Sequence, residues 1–238
     1  MTEVLYLHHR PARMFFGVFF EGKIVATVDG TTISENGSLK STLNAGEVYS
    51  CYFAGDGTGK HITSSHPVAY YVTNACTNVP QSVSFCDCLY QQMAPVNAWG
   101  NNFLVPTNGG CFISSDKPVA VTAYLTGSQY VSPNKGDPAM AWVPPVEQMI
   151  AGTAIAPFAP GSATSLNEHY ALVVTPTATR SQTTVAIGAS SPAALSGGSW
   201  TAGSGTAGSA YSFYAMPLAD INSSYYFYNP NGLTVMGL

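Results

Sequence analysis

The residues of this chain able to ligate a metal or carry out acid–base or nucleophilic chemistry are few: five cysteines, five histidines and twelve carboxylates in 238 residues. Cys86-Asp87-Cys88 would point both thiols to one face of a strand. That is half of a zinc site, but no second pair stands at ligand spacing, and structural zinc takes four ligands. The cysteines, Cys51, Cys76, Cys86, Cys88 and Cys111, are odd in number and fit no disulfide framework, so reduced, buried thiols are expected. His61 and His66 face opposite sides of a continuous strand, and His8 and His9 diverge likewise, which disfavours a shared metal. Glu168-His169 has the composition of an acid–base pair, yet no nucleophile elbow accompanies it, and a surface pair at the start of a strand is expected. Gly55-Asp56-Gly57-Thr58-Gly59-Lys60 invites a phosphate-loop reading. Ala54 occupies the position of the first glycine, His61 that of the Ser/Thr, and a strand follows in place of the helix whose N-terminus would hold the phosphate. A flexible hairpin turn is expected there. No catalytic, cofactor-binding or metal-ligating residue is assigned, and an enzyme is not expected.

The aromatic residues are the other candidates. Trp99, Trp142 and Trp200 have the composition of sugar-stacking or docking residues, but core and interface packing is the favoured reading. The C-terminal region from Tyr211 to Leu238 is rich in aromatic side chains around a lone Asp220. Interface cores are depleted in charge and enriched in Tyr, Phe and Met, which marks Tyr211, Phe213, Tyr214, Tyr225, Tyr226, Phe227 and Tyr228 as candidate subunit-contact residues. Successive strand residues alternate faces, so this set cannot all point inward. A homo-oligomer is expected, a trimer preferred.

The elements that must position these residues are strands. Ile24-Val25-Ala26-Thr27-Val28 and Tyr170-Ala171-Leu172-Val173-Val174 read as strands, and Asp29-Gly30, Asn36-Gly37, Asn108-Gly109 and Asn231-Gly232 as hairpin signals. No window of helical length shows a clean 3.6-residue period, and 23 Gly with 16 Pro would interrupt most helices. Asp87 to Met93 is the one segment with room for a short helix. Met14 to Phe20 is too short for a membrane span or a secretory signal core. It reads as a buried or interfacial strand, with a removed signal peptide as the weaker alternative, and a complete chain is expected to be made and kept in a cytoplasm, at least at first.

Charge is the unusual quantity. Eight Lys+Arg and twelve Asp+Glu make 8% charged residues and a net charge of −4, against about 25% in an average soluble domain. The cations are scattered, so the electrostatic footprint of a nucleic-acid binder is missing. A surface so poor in charge suits burial between subunits.

Internal repetition organises the chain. Ile62-Thr63-Ser64-Ser65-His66-Pro67-Val68-Ala69 aligns without gaps on Ile113-Ser114-Ser115-Asp116-Lys117-Pro118-Val119-Ala120, and Pro95-Val96 recurs as Pro145-Val146. Ala45-Gly46-Glu47-Val48-Tyr49-Ser50-Cys51-Tyr52 is echoed by Ala207-Gly208-Ser209-Ala210-Tyr211-Ser212-Phe213-Tyr214. The expected fold is all-β: antiparallel β-sandwich-like units built from repeats of about 50 residues. Residues 1–23 read as an N-terminal arm or strand, 24–160 as two related units, and 161–238 as a third, partial unit. The Gly/Ser-rich stretch Ser196 to Ser209 reads as a long loop inside that last unit.

Three features resemble the IgGFc-binding-protein N-terminal-like family: the run Gln91 to Pro106 with Trp99-Gly100 at its centre, the paired Ser-x-x-Pro-Val elements ending at Val68 and Val119, and Gly136 to Met140 leading to Pro144-Pro145-Val146-Glu147-Gln148. The resemblance implies repeated β-sandwich-like units in adhesive or structural proteins. The chain is also similar to repeats in tailed-phage virion proteins, which are rich in Tyr, Gly, Ser and Asn and poor in charge. Lacking a clear signal peptide and cysteine pairs, it departs from the extracellular branch. The expected function is therefore a non-enzymatic virion structural protein, a capsid decoration, neck or tail accessory subunit. It would be assembled in a host cytoplasm and bind itself and neighbouring virion proteins, with no cofactor, nucleic acid or membrane. The alternative is a cell-surface or secreted adhesion module binding a glycan or glycoprotein.

Overall fold

A computed structural model describes residues 2–5, 20–53, 60–79, 86–106, 109–125, 139–158 and 168–238. His8, His9, most of the Met14–Phe20 run and residues 55–59, where a hairpin turn was expected, lie outside them. Nineteen strands, three short 3-10 turns and one helical turn make up the described chain, so the all-β expectation holds. The chain divides into two compact units, one of residues 1–99 and 119–142 and the other of 100–118 and 143–238.

The first unit opens with eight strands: β1 (Thr2–Leu5), β2 (Phe20–Ala26), β3 (Thr31–Glu35), β4 (Ser38–Leu43), β5 (Val48–Phe53), β6 (His61–Ser64), β7 (Val68–Thr77) and β8 (Asp87–Gln92). They form two antiparallel four-stranded sheets, ordered β1-β6-β3-β4 and β5-β2-β7-β8. Period-two alternation decides what goes inside. Ile33, Leu43 and Ile62 of the first sheet and Ile24, Ala26, Cys51, Phe53, Tyr70 and Val72 of the second form one core cluster. Asn36 and Gly37 both take positive φ, 49° and 79°, the type I′ geometry that joins twisted strands by two residues. Asp87 to Met93, expected as the one short helix, is instead mostly strand. Six of its residues form β8, because Tyr71, Val72, Thr73 and Asn74 of β7 offer it a ladder, and tertiary pairing outweighs weak helix propensity.

After β8, Pro95 introduces a 3-10 turn, Val96–Ala98, and β9 (Gly100–Val105) pairs with β10 (Cys111–Val119). The paired strands β11 (Val121–Leu125) and β12 (Ala139–Val143) follow, then a second 3-10 turn, Val146–Gln148, and β13 (Ile150–Ile155). The repeat is visible in these pieces. Pro95 (φ −64°, ψ 152°) and Pro145 (φ −68°, ψ 153°) introduce equivalent turns. Ser64 Oγ donates to the His66 carbonyl at 2.7 Å, and Ser115 Oγ to the Lys117 carbonyl. The copies differ around Pro-Val: the chain bends between β6 and β7, whereas β10 runs on through Pro118 and Val119.

The second unit is completed by β14 (Tyr170–Pro176), β15 (Thr184–Ile187), β16 (Ala193–Ala194), β17 (Trp200–Ala202), β18 (Tyr211–Pro217) and β19 (Tyr225–Gly237). Its strands run β16-β15-β19-β14-β18-β17, with β13 also on β19. β19 belongs to two ladders: Tyr225–Tyr228 pair with β13 and β15, and Thr234–Gly237 pair with β14. A strand that bends between sheets makes a sandwich corner. Asn231-Gly232, read as a hairpin signal, is that bend. Gly232 sits at φ +96° with its Cα hydrogen facing Met149 Cβ, so a side chain there is both strained and blocked. Buried Asn229 fixes the corner. Its Nδ2 donates to Thr175 Oγ1 (3.0 Å), Thr183 Oγ1 (2.9 Å) and the Thr179 carbonyl (3.0 Å), and its Oδ1 accepts from the Asn231 amide (2.8 Å).

Two expected boundaries fall elsewhere. The one after residue 23 would cut β2, and the one after residue 160 would separate β13 from its partner β19. Ser196 to Ser209 does lie inside the last unit, interrupted by β17 and the helical turn Gly205–Gly208.

Candidate binding face

The outward side of the sheet β5-β2-β7-β8 gathers more exposed aromatic and polar groups than sequence reasoning had singled out. Register places Tyr52, Glu21, Thr73 and Tyr90 in one row across the four strands, and Ser50, Lys23, Tyr71 and Gln92 in the next. Because Gly22, Ile24, Cys51, Tyr70, Val72 and Leu89 take the inner face, these eight must point out. Tyr52 is 69% exposed and Tyr90 55% exposed, high for tyrosines that bury nothing of a partner. Tyr71 and Tyr90 are diagonal neighbours whose rings lie 5.3 Å apart and 16° from parallel, a stacked pair that stabilises the β7–β8 ladder.

Between the aromatic flanks sits a held ion pair. Lys23 Nζ donates to Glu21 Oε1 and to Ser50 Oγ at 2.9 Å, and stands 5.6 Å from the centre of the Tyr52 ring. The Lys23 hydrogen bond, helped by the Tyr52 hydroxyl, holds the Glu21 carboxyl below its ordinary range, and Glu21 in turn raises Lys23. Both therefore stay charged and mutually neutralised around neutral pH. Thr73 Oγ1 lies 3.8 Å from the Cys88 thiol, and the Gln92 side chain is exposed.

The cysteine expectation is overturned. Cys76 and Cys86 form a disulfide across the β7–β8 junction, with Cα atoms 5.1 Å apart. The register shift between Asn74 and Thr77 accompanies the approach of Cys76 on β7 to Cys86, the residue before β8, within bridging distance. Only three cysteines are free: Cys51 is buried, and Cys88 and Cys111 are exposed. Burial pushes the Cys51 thiol up, and its Sγ lies 3.3 Å from the Gly22 carbonyl. Cys86 and Cys88 thus have different fates, and their spacing does not serve a metal. Among the described residues no three His, Cys, Asp or Glu side chains converge as metal ligands.

The remaining candidates fall as follows. Lys60, last residue of the glycine-rich motif, pairs with Glu35 at 2.6 Å and precedes strand β6. His61 begins β6, while His66 lies in the following bend with its Nδ1 3.1 Å from Ser65 Oγ. Glu168 and His169 precede β14, and the His169 carbonyl accepts from the Leu218 amide. Trp99 donates to the Ala94 carbonyl (3.0 Å), and Trp200 packs edge-on against Tyr214 (5.2 Å) on the second unit's core. Trp142 Nε1 is buried with no partner among the described residues.

Of the seven proposed contact residues, Phe213, Tyr214, Tyr225 and Phe227 are buried, the last three in one core cluster, and are withdrawn from any partner. Each lies on the inward parity of its strand or between two layers. Tyr211 is half-buried and stacks on Phe112 at 6.0 Å. Tyr226 and Tyr228, 48% and 41% exposed, remain outward on β19.

Sandwich-like antiparallel β units built from tandem repeats define the class of protein. Two consecutive stretches, residues 20–110 and 105–237, match the family described as IgGFc binding protein, and the chain belongs to that family. No curated protein and no solved structure matches it.

Proposed function

We propose that the chain is a non-catalytic adhesion module that works in an oxidising exterior and recognises its partner through exposed sheet faces. The observation that carries this reading is the Cys76–Cys86 disulfide. Disulfides persist in secreted, periplasmic and surface proteins and are rare in reducing cytosols. The tyrosine-flanked face of the first unit supplies an exposed surface of the kind adhesion requires, and membership of a family whose name records binding agrees with it. Fractionation of the source cells tests the proposal. Recovery from the surface or secreted fraction with Cys76 linked to Cys86 is expected. Recovery only from the cytosol with all five thiols free overturns it.

A second reading, a tailed-phage virion structural protein, is favoured by the 8% charge content and by the outward Tyr226, Tyr228 and Ile150 on β19 and β13. A released particle also meets an oxidising exterior, so the disulfide is compatible with it. Here the chain would associate with itself, as a trimer, and with other virion proteins through that second aromatic face. Detection of the chain by mass spectrometry in purified particles would establish this reading over the first.

A further inference from the structure

We infer that the outward face of β5-β2-β7-β8 is a binding site for a neutral oligosaccharide; the inference rests on the adhesion reading and names its ligand class. The arrangement decides against a protein partner first. Protein interfaces place aromatic anchors at the centre and charges on the rim. Here the two most exposed rings of the face, Tyr52 and Tyr90, lie on the edge strands β5 and β8, while the charged Glu21–Lys23 pair occupies the inner strand β2 and the half-buried Tyr71 the inner strand β7. The edge strands are three interstrand spacings apart, about 14 Å, which suits a short oligosaccharide laid across the strands. Its C–H faces carry partial positive charge and pack on the negative π faces of the tyrosines. Its hydroxyls, each donor and acceptor, meet Glu21 as acceptor, Lys23 as donor, and Ser50, Thr73 and Gln92 as both.

Charge complementarity selects the neutral class. Glu21 and Lys23 cancel, and the rest of the two rows, Tyr52, Thr73, Tyr90, Ser50, Tyr71 and Gln92, is uncharged. A sialylated or sulfated glycan would find no surplus cation to offset its desolvation. The polar groups are also preorganised: Lys23 is fixed by Glu21, Ser50 and the Tyr52 ring, and Tyr90 by its stack on Tyr71. Binding therefore orders few side chains.

The test titrates the full chain with maltohexaose, cellohexaose, xylohexaose and mannohexaose, and with lactose beside sialyllactose, following tyrosine fluorescence and calorimetry. At least one neutral hexasaccharide should saturate, with a dissociation constant of about 0.1–1 mM for so open a face. Sialyllactose should bind no more tightly than lactose. Tyr52→Ala and Tyr90→Ala, at exposed positions that leave the circular dichroism unchanged, should each weaken binding about tenfold, while Tyr226→Ala in the other unit should not. Failure of every neutral saccharide, or binding indifferent to both tyrosine substitutions, overturns the inference. So does equal capture of one surface glycoprotein before and after enzymatic deglycosylation, an outcome that leaves the adhesion reading standing. Failure of that reading shows instead in the cell fractions.

Discussion

Removal of the Cys76–Cys86 cross-link should destabilise the first unit without touching the second. The two cysteines are separated by 10 residues, and the chain-entropy model assigns a loop of that length about 2.7 kcal/mol at 25 °C. Both residues are exposed, so serine in their place buries no polar group, and the loss reduces to the freed entropy of the unfolded chain. A unit of this size converts the figure into a fall of about 10 °C in its unfolding midpoint. Differential scanning calorimetry of wild type, Cys76→Ser, Cys86→Ser and the double variant measures it. Because either single change already opens the bridge, the double variant should cost no more than one single variant. Reductant should reproduce the same shift in wild type and none in the variants, and any transition belonging to the second unit should stay in place. A double variant melting within about 1 °C of wild type would refute the reasoning, as would a non-reducing peptide map linking Cys76 to Cys88 or Cys111.

Gly22→Ala should cost about 1–3 kcal/mol by denaturant titration, because its Cβ would stand 2.4 Å from Cys51 Sγ and 2.8 Å from the Tyr70 ring. Adding Cys51→Ala should recover part of that loss, and strict additivity would show the clash elsewhere. Asn229→Leu should lower stability by about 3 kcal/mol with an unchanged denaturant slope, since buried Thr183 and the Thr179 carbonyl lose their donor; a neutral result would show that the corner does not need the amide. In native protein, a thiol reagent at pH 8 should label Cys88 and Cys111 quickly and Cys51 only on unfolding, because Cys51 is buried and its thiol held protonated. Fast labelling of Cys51 would contradict the packing of the first unit.

Much of the strand content was legible because residue type and spacing agreed. Ile24 and Ala26 alternate with Lys23 and Val25, and Asn36-Gly37 had one geometry available to it. The repeat was legible where a side chain bonds locally: Ser64 and Ser115 each cap a carbonyl two residues on, a bond set by the sequence within the motif. What pairs with what was not legible. Whether β13 lies on β19 depends on loop closure across about 70 residues, whose entropy grows only slowly with length and so leaves little trace in the sequence. The disulfide was hidden for the same reason: an odd cysteine count says nothing about which two Cα atoms a bulge brings within reach.

The aromatic surface was misplaced for a sharper reason. Alternation identifies an inner face only when the two parities differ in polarity, as they do in β2, where glycine and isoleucine alternate with glutamate and lysine. In Tyr225-Tyr226-Phe227-Tyr228 both parities are aromatic, so a shift of one residue leaves the pattern unchanged while exchanging every side chain between core and surface. What fixes the parity is Asn229. Its amide reaches Thr175, Thr179 and Thr183 only if it points inward, and that sets Phe227 and Tyr225 inward and Tyr228 and Tyr226 outward along the same strand. Tyr70-Tyr71 poses the same ambiguity on β7, resolved by the bulk Tyr70 places against Gly22. The outward tyrosines Tyr226, Tyr228 and Tyr71 are thus set by a neighbour of their strand, a buried amide in one case and a glycine in the other. A search for binding faces in such low-charge β chains should begin from those two residue types and count parity outward from them.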